Sequence, residues 1–135
     1  MLEKPVWSLI TGVLSALENG LEYEDMFRWL KTGLAGLMPE ECDELENYVL
    51  TWEIHGKMWL RDVDWTDNPD GYGAPWDKRR QARLDRVNEL RRRVRAPLAE
   101  LYEGLKAGVT AGEKVNSLYS FLEHLNLQNA LEEQM

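Results

Sequence analysis

Residues Glu41–Trp59, ECDELENYVLTWEIHGKMW, decide how the chain is to be read. Leu45, Tyr48, Val49 and Trp52 recur at the three- and four-residue spacing of one helix face. Pro39, just upstream, suits a first-turn position, where its missing N–H is not needed. Glu40, Glu41 and Asp43 then set negative charge against the positive end of the helix dipole. Gly56 is expected to stop the pattern, and Trp59 follows three residues later. Three of the six tryptophans, Trp52, Trp59 and Trp65, lie within fourteen residues, and Trp76 is not far beyond. So much aromatic area beside one helix end predicts a local packing centre, with Leu45, Tyr48, Trp52 and Trp59 as its structural anchors.

Upstream of this stretch, the periodicity predicts a helix over Pro5–Asn19. Val6, Leu9, Ile10, Val13, Leu14 and Leu17 form its apolar stripe, and Asn19-Gly20 supplies a stop. Gly12 lowers helix propensity there without ending the pattern. A shorter helix is expected over Tyr23–Thr32, with Met26, Phe27 and Leu30 facing inward and Gly33 and Gly36 breaking it.

Downstream, periodicity is lost over residues 53–74. A loop of that length is expected to be functional or poorly ordered. As far as Trp65 it should pack on the bundle. The turn-forming run Asp67-Asn68-Pro69-Asp70-Gly71 leads to a tip, Asn68–Gly73, expected to be mobile. A long helix should follow, from Pro75 or Trp76 to Lys106. Leu84, Val87, Leu90, Val94, Leu98, Leu101 and Leu105 keep one spacing across Pro97, which predicts a single kinked helix; a break at Ala96 is the alternative. Thr110-Ala111-Gly112-Glu113 reads as a capping box. The last helix would turn Val115, Leu118, Tyr119, Leu122 and Leu125 inward, with Asn126 interrupting it and residues 127–133 forming a final turn or two. The fold predicted is all-α: one domain over residues 1–135, an irregular bundle of five to seven helices with one long kinked helix and a tryptophan-containing loop.

A chain of 135 residues with 44% hydrophobic and 30% charged side chains is expected to be globular, with a real core. No apolar run approaches the ~20 residues that span a bilayer. The opening MLEKPVWSLI has no basic region before its apolar stretch, so no secretion signal is expected, and the cytoplasm is the expected location. The single cysteine, Cys42, at helical spacing before Leu45 and Val49, reads as a small buried hydrophobe.

Three stretches carry a resemblance. Glu44-Leu45-Glu46-Asn47-Tyr48 followed by Gly56-Lys57-Met58-Trp59 resembles the B subunit of the bacterial AddAB/RexAB ATP-dependent helicase–nuclease. The runs Tyr23–Thr32 and Glu113–Glu123 resemble the same family in the same order, so the likeness covers roughly Pro5 to Glu132. The family's subunit is many times longer, which implies that this chain is one interior segment of such a subunit. Its place resembles the helical 2B insertion of superfamily 1 helicase-like folds. The resemblance implies a parent complex that processes double-strand DNA ends for recombination repair. For that complex it implies ATP, magnesium and an iron–sulfur cluster. The partners it implies are the remainder of the subunit, the A subunit and DNA, with no membrane. A free-standing helical module that binds another protein is the alternative.

Catalytic chemistry is not visible in this segment. There is no phosphate-cradling G-x-x-x-x-G-K-[ST] loop, and no residue here matches the family's nuclease chemistry. The acidic run Asp62–Gly71 lacks glycine at the sharp-turn position of a calcium loop. His55 and His124 have no companions at ligand spacing. Thus no catalytic, cofactor or metal residues are expected within it.

Charge supplies the one direct candidate. The chain carries −8 overall, yet nine of its sixteen basic residues lie between Lys78 and Arg95 against two acids, Asp85 and Glu89. On a helix advancing ~100° per residue, Arg79, Arg83, Arg86 and Arg93 fall along one edge of the apolar stripe and are the candidate DNA phosphate contacts. Arg80, Arg91 and Arg95 fall on the other side, and Arg92 points away. Charge spread so widely favours a solvated helix pairing with the acidic remainder over phosphate contact or docking to an acidic neighbour.

Overall fold

A computed structural model describes residues 4–125. It is all-α, with six helices among the described residues: α1 Lys4–Asn19, α2 Tyr23–Leu30, α3 Pro39–Trp52, α4 Lys57–Leu60, α5 Lys78–Ala107 and α6 Ala111–His124. The expected interruption at Asn126 and the turn over residues 127–133 lie outside the described residues.

α1 and α2 pack closely because Gly12 meets α2 without a side chain. A Cβ at residue 12 would stand 3.0 Å from the Trp29 Cβ and 3.2 Å from the Trp29 backbone nitrogen. Gly12 is therefore a packing residue, not merely a tolerated weak helix former. Trp29 fills the space behind it, fully buried, and its ring meets Phe121 of α6 edge-on at 5.9 Å. α2 thus contacts both α1 and α6 through Trp29.

α3 starts with Pro39 in its first turn. The Glu41 carboxylate reaches back to accept a hydrogen bond from the Met38 N–H at 2.8 Å. Cys42, Leu45, Tyr48 and Val49 are buried. The helix ends three residues earlier than Gly56 suggested: Glu53 takes a left-handed conformation, φ 49°, and the Ile54 N–H returns to the Val49 carbonyl at 3.1 Å. Buried Ile54 closes that end.

α5 runs unbroken through the buried Pro97, as phase continuity predicted, and begins two residues after Trp76. Asp77 caps it, accepting from the Arg80 N–H at 2.9 Å. α6 lies against α5 where Gly104 leaves room for the Ser117 side chain. The inner face of α6 differs from expectation. Phe121 is its buried residue, Leu118, Leu122 and Leu125 are half-buried, and Val115 and Tyr119 are exposed. The close approach of Ser117 to Gly104 rotates the helix so that Phe121, not Tyr119, meets Trp29.

Candidate functional site

The loop between α3 and α5 is held by hydrogen bonds to named polar groups. α4 forms one helical turn within it and buries Trp59 completely. The Trp59 ring meets Trp65 edge-on at 5.4 Å and Phe27 at 6.3 Å. Trp65 in turn stacks on Tyr48 of α3, with centroids 5.3 Å apart and planes within 6° of parallel. Leu45 is fully buried, and half-buried Trp52 donates its indole N–H to the Asn68 carbonyl at 2.8 Å. Tyr48 and Trp52 thus contact the loop, Trp59 is buried within it, and Leu45 lies in the core. Burial pushes the Tyr48 hydroxyl up to about 12, and its oxygen accepts from the Asp67 N–H at 3.0 Å.

α5 supplies a second set of ties. Asn88, buried, uses both ends of its amide on Trp65: Oδ1 accepts from the backbone N–H at 2.8 Å and Nδ2 donates to the carbonyl at 2.9 Å. Arg91, 1% exposed, donates to the Arg61 carbonyl at 3.0 Å and to Asp64 at 2.9 Å. Arg92 shares the same Asp64, and Arg95 donates to the Leu60 carbonyl at 2.7 Å. Asp70 is held by Arg83 and, at 2.7 Å, by Arg80.

Each carboxylate responds to its cations. Arg92 and then Arg91 hold the Asp64 carboxyl below its usual range, and Arg83 and then Arg80 do the same for Asp70. The tip expected to be mobile is consequently tied down. Asn68 and Pro69 are buried, and the Asn68 amide donates to the Ala74 and Pro75 carbonyls at 3.1 and 3.2 Å. Two buried side-chain donors, Trp59 Nε1 and Arg91 Nε, have no partner among the described residues.

The four candidate arginines do not form one free edge. Arg83 binds Asp70, Arg86 binds Glu44 of α3 at 3.1 Å, and Arg93 binds Glu41 of α3 at 2.8 Å and the Gly36 carbonyl. Glu41 is lowered chiefly by Arg93 and also by the Met38 N–H. Arg79 is exposed, and no carboxylate pairs with it among the described residues. Arg92 does not simply point away, since it reaches Asp64.

Asn88 and Arg91, the two most buried polar residues of α5, are anchors that the sequence reading passes over. A signal for them exists: both sit in the phase of the apolar stripe, Arg91 four residues after Val87 and three before Val94.

Among the described residues no group of three or more His, Cys, Asp or Glu side chains could hold a metal ion. His55 bonds the Glu53 carbonyl at 2.8 Å, and His124 meets Glu100 at 3.0 Å. Cys42 is buried, and burial pushes its thiol up. No described helix is long and apolar enough to cross a membrane.

No protein-family model matches the sequence. The chain is similar to the B subunit of the ATP-dependent helicase/deoxyribonuclease of Clostridium tetani (strain Massachusetts / E88), with 35% identity over 132 residues, covering 95% of this chain and 11% of that protein. The corresponding protein of Clostridium novyi (strain NT) is 34% identical over 130 residues, 96% of this chain and 10% of that protein. That of Alkaliphilus metalliredigens (strain QYMF) is 29% identical over 140 residues, 97% of this chain and 12% of that protein. The chain spans about a tenth of the length of these curated relatives. It is homologous, over nearly all of its residues, to one part of the B subunit of ATP-dependent helicase/deoxyribonuclease.

Proposed function

We propose that residues 1–135 form a noncatalytic helical domain of an AddB/RexB-type subunit, in a complex that processes double-strand DNA ends for recombination repair. Its role is that of a scaffold, with the remainder of the subunit, the A subunit and DNA as partners of the whole assembly. ATP, magnesium and an iron–sulfur cluster belong to that assembly and not to this domain.

The pairing of Arg83, Arg86 and Arg93 with Asp70, Glu44 and Glu41 carries the scaffold reading. Those guanidinium groups bind α5 to α3 and to the loop, which leaves them poorly placed to neutralise phosphates. Homology to a tenth of a longer subunit and the surface of α1 and α6 support the segment reading over a self-sufficient module. Trp7 and Leu14 of α1 are 58% and 36% exposed, and Val115 and Tyr119 of α6 are 50% and 63% exposed. Apolar side chains open at spacings of seven and four residues fit helices that pack against further protein.

The test is a variant with Arg83, Arg86 and Arg93 changed to glutamine. Each pair is solvent-accessible, so each stabilises only modestly and the three are removed together. A lower unfolding midpoint with unchanged duplex DNA affinity is expected. Unchanged stability with a marked loss of DNA affinity would reverse the assignment. The chain alone should neither hydrolyse ATP nor cleave DNA, and either activity abolished by a point mutation would contradict a noncatalytic domain.

A further inference from the structure

The large aromatic side chains of this fold are mostly put to use. Trp29 and Trp59 are fully buried and Trp65 is 8% exposed. At the junction of loop and α5, however, Tyr72 is 98% and Trp76 52% exposed. Their exposure is not the result of a slack loop. Gly71 and Gly73, on either side of Tyr72, have φ of 101° and 82°, so the chain turns tightly and projects the ring outward. The turn itself is fixed by the Asn68 amide and by Asp70 on Arg80. The Tyr72 and Trp76 backbones are four residues apart, a reach of at most ~14 Å. That is about the length of a few nucleotides in one strand.

Charge beside the rings points the same way. Asp70 and Asp77 are both taken up by arginines: Arg80 holds each, and Arg83 adds to Asp70. Lys78 and Arg79 follow at once, both exposed, with no carboxylate partner among the described residues. The patch therefore offers two open π-faces and two uncancelled cations in a chain whose net charge is −8.

We propose that Tyr72, Trp76, Lys78 and Arg79 form a binding surface for single-stranded nucleic acid, the rings stacking on bases and the cations meeting phosphates. A duplex hides its base faces and would engage only the cations. An acidic peptide would likewise leave the rings without a stacking partner. The choice of DNA over RNA, and only that choice, rests on the function proposed above.

The experiment is fluorescence anisotropy of a labelled twelve-residue oligothymidylate titrated with the 135-residue chain. The comparison proteins are Tyr72→Ala/Trp76→Ala, Lys78→Gln/Arg79→Gln, and Trp7→Ala as an exposed-tryptophan control. The parent chain should bind in the roughly 10⁻⁴ to 10⁻⁶ M range at moderate salt. Removing both rings should weaken binding at least about five-fold. Removing both cations should flatten the log–log salt dependence by about 1.4, at ~0.7 per contact. Trp7→Ala should change nothing, and all variants should keep the parental unfolding midpoint, because none of these side chains is buried.

Equal affinity of parent and ring-deleted chain would overturn the proposal. So would equal binding of a blunt duplex, or tighter binding of polyglutamate than of the oligonucleotide. If the ring deletion is silent while the Arg83/Arg86/Arg93 variant loses stability, this inference falls and the scaffold reading stands. The opposite pair of results removes the scaffold reading and keeps this one.

Discussion

Replacing Asn88 by alanine would remove the side chain that, among the described residues, satisfies both backbone groups of Trp65. The N–H and the carbonyl of Trp65 would then be left in a buried site, each at a cost of about 1–3 kcal/mol if nothing replaces the amide. The loop around Trp65 is anchored independently by the Tyr48 stack and by the indole N–H, which donates to the Met58 carbonyl at 3.2 Å. It can shift slightly and admit water, but it cannot swing free. A loss in the lower part of the summed range, about 2–4 kcal/mol, is therefore expected. Urea unfolding followed by tryptophan fluorescence measures it, and amide exchange at Trp65 localises it. Asn88→Asp supplies an informative companion: a carboxylate keeps the acceptor for the Trp65 N–H but turns a second acceptor toward the Trp65 carbonyl. That variant should regain stability on mild acidification, because a protonated carboxyl can donate. A change below about 0.5 kcal/mol for Asn88→Ala would refute the argument, since it would mean that the amide holds nothing the solvent cannot.

Trp59→Ala should cost about 3–5 kcal/mol, because a fully buried ring is lost from contact with Phe27 and Trp65; a thermal midpoint equal to the parent's would show the ring to be dispensable. Gly12→Val should destabilise by about 1–3 kcal/mol, since its Cβ alone would sit 3.0 Å from the Trp29 Cβ; a more stable variant in urea would mean that α1 and α2 are not in close contact there. Acid should weaken the fold. Glu46 is held below its usual range first by Lys31 and then by Tyr23, Asp64 first by Arg92, and Asp70 first by Arg83. Their contribution is complete above the unfolded carboxyl values near pH 4 and disappears as pH falls through the lower folded-state values. The urea midpoint should drop between about pH 5 and pH 2, less steeply in Asp64→Asn, and a flat profile would count against these pairs.

Periodicity is enough to place α1, α2, α3 and α5, but it puts Leu14 in the α1 stripe, where the structure exposes it, and passes over the fully buried Trp29 of α2. The stripes of α1 and α5 are long, and the buried sets Val6–Leu9–Val13 and Leu84–Val87–Val94–Leu98 stand at the expected spacings. The phase of α6 is not legible in the same way, because Val115, Tyr119 and Phe121 are comparably apolar; a small-residue contact, Gly104 against Ser117, decides between faces. The loop is legible only in its tryptophans. Its order depends on polar side chains, Asn88 and Arg91, that ordinary reading assigns to solvent. The candidate arginines stand out in the sequence, but their partners Glu41, Glu44 and Asp70 lie 52, 42 and 13 residues away, and no local spacing reveals such pairs.

The ties between α5 and the loop all run backward along the chain, and this has a consequence for synthesis. When a ribosome has released residues up to Asp77, Trp65, Asp64 and Asp70 exist without Asn88, Arg91, Arg92 or Arg83. At ~5–20 residues per second, the thirty residues of α5 need roughly 2–6 s to be added. For that interval the nascent chain carries a tryptophan-rich segment held by α3 but not yet by α5, beside a half-assembled core. A stalled chain that has emerged only to Asp77 should accordingly engage chaperones, whereas one that has emerged past Ala107 should already resist protease across residues 57–75.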